Sequence, residues 1–173
     1  MKPALPFHIY KIGLFTGHMY FVGAIIAHVY NYPNLVIICS AIYGTTMAHW
    51  YDIKTTGIAK TVDMVAVVAG ILFISFHESY KFVGNGRKIW NSAILISAVS
   101  YLFNSTIFNF QNEPHNYFQN EPLVETPYNY FSLQPIPKNS PNVEKMNLYS
   151  TIVHAFFLHV MPISVGAYCV IKT

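Results

Sequence analysis

Three imidazoles, one carboxylate and one hydroxyl carry the chemistry this sequence offers: His49, His154 and His159, Asp63, and Thr45. Imidazole nitrogen and carboxylate oxygen are donors that zinc takes, and a catalytic zinc site keeps one position open for water. Thr45 precedes His49 by four residues, so on a helix the two side chains share a face. From there the threonine hydroxyl can orient a bound water or stabilise a developing oxyanion.

Residues so far apart in sequence meet only if long elements bring them together, and the charge distribution marks those elements. From Ile12 to Tyr51 the chain has no Asp, Glu, Lys or Arg. The whole chain of 173 residues is 53% hydrophobic and 10% charged, against roughly 25% charged in an ordinary soluble domain. Its mean hydropathy is +0.35. This pattern argues against a soluble domain and for a helical bundle in a membrane, where a crossing helix needs about 20 mostly apolar residues. The net charge of +3 is spread thinly, so no basic stripe points to nucleic acid. Cys39 and Cys169 sit in apolar runs and read as buried small hydrophobes, not a disulfide framework.

The gaps between charges predict a polytopic all-α bundle of five spans, at Ile12–Tyr30, Leu35–Tyr51, Thr61–His77, Ile89–Phe108 and Leu148–Ile171. Lys2 and Lys11 precede a hydrophobic run that continues without a small-residue cleavage site, so a retained first span is expected rather than a signal peptide. The turn sequences Asn31-Tyr32-Pro33-Asn34 and Gly84-Asn85-Gly86 separate neighbouring spans. Asn109–Asn147 is read as one long loop rich in Pro, Asn, Tyr and Phe, in which Phe110-Gln-Asn-Glu-Pro114 recurs at Phe118–Pro122. Such a loop fits an interfacial linker, a lid over a site, or a surface docking onto another subunit. Lys and Arg are balanced between the two sides, so the positive-inside rule does not orient the chain.

Alternation of spans sorts the titratable residues by membrane face. His49 ends the second span, Asp63 begins the third and His154 begins the fifth, all toward the face that carries the N-terminus. His159 lies about 7 Å deeper than His154 at 1.5 Å per residue. His28 and His77 fall toward the other face, and His18 near the middle.

Thr45-Thr-Met-Ala-His49, Asp63 at the start of the next span, and His154-Ala-Phe-Phe-Leu-His159 together resemble the three-part pattern of the CREST superfamily of membrane hydrolases. That group comprises the alkaline ceramidases, the progestin and adipoQ receptors and hemolysin III. Its pattern is Ser-x3-His, an Asp opening the following helix, and His-x3-His on the last. The resemblance implies zinc held by His49, His154 and His159, with Asp63 and Thr45 as catalytic residues, and hydrolysis of a lipid amide or ester entering from the bilayer. Two departures stand out: the family has seven helices, and its closing histidines are four apart where these are five apart. Five positions put two rings about 140° apart on a regular helix. Pro162 removes a backbone donor and disturbs the turn at Leu158, and a π-bulge there would return positions i and i+5 to one face.

Other readings use the same residues. His49 with His154, and His28 with His77, are the pairs a b-type haem would need in an electron-transfer subunit. Alternatively the chain is a non-catalytic subunit of a larger membrane complex, for example a respiratory one, with Gly13-x3-Gly17 as helix-packing glue. In the plainest reading the histidines bond neighbouring helices and Asp63 caps its own helix.

Overall fold

The computed structural model describes residues 7–51, 58–108 and 141–173. Among these the chain is helical, joined by turns: α1 Phe7–Val29, α2 Pro33–Tyr51, α3 Ile58–Phe76, a 3-10 turn Glu78–Lys81, α4 Gly86–Phe108, α5 Pro141–His154, a π-helical segment Ala155–Val160, and α6 Met161–Ile171. All five segments expected to be helical are so. Three stretches, Ile9–Val29, Ile58–Lys81 and Asn147–Ile171, are long and apolar enough to cross a membrane by length and composition.

The boundaries differ from expectation in informative ways. The first and third helices start earlier, at Phe7 and Ile58. The expected loop ends sooner, because α5 begins at Pro141, where the missing N–H and fixed φ of proline suit a first helical position. The duplicated Phe-Gln-Asn-Glu-Pro segment lies outside the described residues.

The turn between α1 and α2 is built by Asn31, whose φ of 66° is left-handed. Tyr32 N–H donates back to the Ala27 carbonyl at 2.8 Å and Asn31 N–H to that of His28 at 3.1 Å, which is the Schellman arrangement. Pro33 then opens α2. At the other connection Gly84 takes φ 60°, and Gly86 N–H closes the turn onto Val83 at 3.0 Å.

α1 packs along α2, and α2 along α3. On its other side α1 meets the last helix, formed by α5, the π segment and α6, which in turn packs on α4. Glycine sets the closest approach of α1 and α2. A Cβ at Gly13 would overlap the Trp50 indole, and one at Gly17 would meet the end of the Met47 side chain. The small pair read as glue between subunits is therefore spent inside the chain.

Buried apolar side chains form clusters along the bundle. Near the α1–α2 turn, Tyr32, Leu35, Phe82 and Trp90 pack together with Cys169 and Val170. Tyr20, Cys39, Ile42 and Ile163 fill the middle, and Ile9 with Trp50 closes the end where α1 starts. Both cysteines are free and buried, as expected. Large side chains remain uncovered along α3 and α4, among them Val62, Val65, Leu72, Leu95 and Val99.

Candidate functional site

The site gathers at the end of the bundle where α2 finishes and α3 starts, and the last helix supplies its most unusual backbone. In the π segment the Met161 N–H donates to the carbonyl of Phe156, five residues back. Next comes Pro162, which has no N–H. It deprives Phe157 of its donor in π spacing and Leu158 of its donor in α spacing. Two hydroxyls from other helices meet those carbonyls. Ser97 of α4 donates to Phe157 O at 2.7 Å, and Tyr20 of α1 donates to Leu158 O at 2.7 Å.

The extra residue in the turn does what the five-residue spacing requires. The rings of His154 and His159 meet edge to face, with centroids 5.2 Å apart, although a regular helix would turn them well away from each other. His159 is buried, and its Nδ1 lies 2.9 Å from the Thr16 hydroxyl. That hydroxyl has one proton and also lies 2.8 Å from the Ile12 carbonyl, which can only accept. Thr16 therefore donates to Ile12 and accepts from His159 Nδ1–H, which leaves His159 Nε2 as the nitrogen with a free lone pair. This tautomer follows from the hydrogen-bond network.

Asp63 does not cap its helix. α3 begins five residues earlier, at Ile58, and the Asp63 carboxylate crosses to α2. There Oδ1 accepts from Thr45 Oγ1 at 3.0 Å and from Thr46 Oγ1 at 2.7 Å. Thr45 also lies 3.0 Å from the Ile42 carbonyl. Sequence reasoning selected Thr45 for its spacing to His49 and missed Thr46, which is fully buried and makes the shorter bond. The paired threonines of α2 were the available signal, since a helix points two adjacent hydroxyls in different directions and a single carboxylate can take both.

His49 is half-buried, and its ring lies 5.5 Å from the Trp50 indole. The same indole lies 5.7 Å from the ring of His154 and 6.3 Å from that of His159. Trp50 thus stands against all three imidazoles, and Gly13 makes room for it. The donor types suit zinc, and His154 and His159 are the two that the structure brings into contact. Among the described residues, no group of three His, Cys, Asp or Glu side chains is placed to share one ion. His49, in ring contact with the same indole, is the remaining imidazole of the set.

The other histidines lie apart from this cluster. His18 Nδ1 bonds the Leu14 carbonyl at 2.8 Å, with its ring against Tyr43. His28 is exposed at the end of α1. His77 stacks on Phe73 and approaches Glu78 Oε1 at 3.1 Å. The fully buried Glu78 carboxylate also accepts from Asn34 at 2.7 Å and from Lys81 at 2.9 Å. That polar hub ties the α1–α2 turn to the α3–α4 connection.

Comparison with protein-family models, with curated proteins and with solved structures finds no match for this chain.

Proposed function

We propose that this chain is a five-span membrane hydrolase of lipid amide or ester bonds, with zinc as its cofactor. The observation that carries the reading is the π-helical turn that brings His154 and His159 into ring contact. π-bulges in helices are frequent at functional sites, and ionisable side chains within apolar spans are costly to keep and commonly mark a function. The uncovered apolar side chains of α3 and α4 suit contact with lipid.

In this reading His154 and His159 hold the ion, and His49 completes the set of imidazoles. The chemistry such an ion supplies is carbonyl polarisation and a hydroxide at near-neutral pH, since the pKa of zinc-bound water falls to about 7. Thr16 fixes the His159 ring through Nδ1 and leaves the Nε2 lone pair for the ion, the usual role of a partner behind a metal-binding histidine. Asp63, which accepts hydrogen bonds from Thr45 and Thr46, serves in this reading as the general base. The bundle around them limits access of bulk water.

The test is metal analysis of the purified full chain, together with fatty-acid release from lipid vesicles. One zinc per chain is expected, lost on His154→Ala or His159→Ala and retained on His28→Ala. A chain that binds no zinc, or that keeps its zinc in both site variants, overturns the reading and leaves the non-catalytic membrane subunit in its place.

A further inference from the structure

Four buried polar atoms near this end of the bundle have no hydrogen-bond partner among the described residues: Trp50 Nε1, Asn104 Oδ1, Ser150 Oγ and Thr151 Oγ1. Their residues are 4%, 2%, 1% and 0% exposed, so bulk solvent does not reach them. They come from three helices. Trp50 lies in the last turn of α2, Asn104 near the end of α4, and Ser150 and Thr151 on α5 in the turn before His154. The orientation of the Asn104 amide is set by its Nδ2, which donates to the Ser150 carbonyl at 3.3 Å, so its oxygen is the open atom.

The mixture of roles identifies the ligand class. The indole N–H only donates, the amide oxygen only accepts, and each hydroxyl does both. An anion would be met by donors alone and a cation by acceptors alone. A neutral ligand that donates and accepts in equal measure is water, which typically makes about three hydrogen bonds at buried polar sites. Buried polar atoms in folded proteins are almost always satisfied, by protein or by ordered water.

We propose that this end of the bundle binds internal water at Trp50, Asn104, Ser150 and Thr151, beside the His154–His159 pair. Trp50 connects the hydrated region to the cluster, since its indole lies against all three histidines. The proposal does not depend on the hydrolase reading. If both hold, the same water lies close to the histidine pair and is available for hydrolysis.

The chain carries its own control. It has two tryptophans, and the second, Trp90, donates its indole N–H to Ser75 Oγ at 3.0 Å. The experiment is magnetisation transfer from water to the two indole N–H signals of the labelled full chain in micelles. Trp50→Phe assigns the signals, and Trp90→Phe gives the same assignment if the first variant does not fold. Transfer is expected at Trp50 at least fivefold stronger than at Trp90. No transfer at Trp50, or equal transfer at both, overturns the proposal: the first means a dry interior and the second general solvent leakage.

Discussion

Tyr20 donates its phenolic proton across the helix interface to the backbone carbonyl of Leu158, at 2.7 Å. This carbonyl is the one whose helical partner Pro162 removes, so a side chain on α1 stabilises a turn on the last helix that proline alone would only break. Tyr20→Phe removes the hydroxyl from that half-buried carbonyl, at a cost of about 1 kcal/mol. A lower melting temperature in detergent is the expected readout, and unchanged melting would show the bond to be dispensable.

Pro162→Ala tests the turn itself. It restores the N–H that a regular helix uses, so the segment is free to return to α spacing and to turn His159 away from His154. Under the hydrolase reading, loss of bound zinc without loss of helix content is expected, measured by metal analysis and far-UV circular dichroism on one sample. Retention of zinc at full stoichiometry would mean that proline does not hold the turn open.

Gly13 and Gly17 look equivalent in sequence but are expected to respond differently. An added Cβ at Gly13 strikes the rigid Trp50 indole, whereas at Gly17 it meets the flexible end of Met47 and, at 3.1 Å, the methyl of Thr46. Gly13→Ala should therefore cost about 1–3 kcal/mol through overpacking. Gly17→Ala should cost less, because the Met47 end can swing aside and the Thr46 methyl needs to give by only a few tenths of an ångström, while the helix-propensity gain of about 1 kcal/mol is common to both variants. Thermal melting of the two variants side by side decides the matter, and equal destabilisation would count against the packing described here.

That contrast also marks how much the sequence disclosed. Helix positions were legible because uncharged stretches of this length have few other uses, and the turns were legible in Asn31 and Gly84, which tolerate positive φ. The candidate π-bulge was legible in Pro162 together with the spacing of His154 and His159. What stayed hidden depended on which way helix faces turn. Nothing in the sequence said that Trp50 would stand against all three imidazoles, that Thr46 would reach Asp63, or that Ser97 and Tyr20 would supply the missing donors. Helices without a strongly apolar stripe leave their rotation to packing, and packing is set by pairs such as Gly13 and Trp50 that no local pattern reveals.

Glu78 anchors the opposite end. Its buried carboxylate accepts from Asn34 and Lys81. Glu78→Gln keeps an acceptor for Asn34, whereas Glu78→Ala removes it and leaves a gap. Alanine is expected to cost about 2 kcal/mol or more and glutamine less. Lys81 is half-exposed and regains water in both variants, so the difference between them reports on Asn34 together with the gap that alanine leaves. A larger loss for glutamine than for alanine would contradict this account.

Thr151→Val distinguishes a hydrated interior from a dry one through the sign of its effect. Valine keeps the shape of threonine and removes only the hydroxyl. If Thr151 Oγ1 is dry, its removal relieves an unsatisfied buried group and raises stability by about 1 kcal/mol. If the hydroxyl binds water, the substitution strands that water and lowers stability by a similar amount. A fall in melting temperature is expected.

Asp63 allows structure and chemistry to be separated. Asp63→Asn retains an oxygen that can accept from both Thr45 and Thr46, so the α2–α3 contact survives with its bond lengths nearly intact. What it loses is the negative charge and the capacity to take a proton. Asp63→Ala loses the acceptor as well, leaving the fully buried Thr46 hydroxyl without its partner at a cost of about 1–3 kcal/mol. Under the hydrolase reading, both variants lose lipid hydrolysis by about 10²–10⁴-fold, the range for removing a general base, and only alanine lowers the melting temperature. If Asp63 serves packing alone, asparagine behaves like the parent in both assays. An asparagine variant that folds like the parent yet hydrolyses nothing would assign the carboxylate to chemistry. One with full activity would remove Asp63 from the site and leave it as the link between two helices.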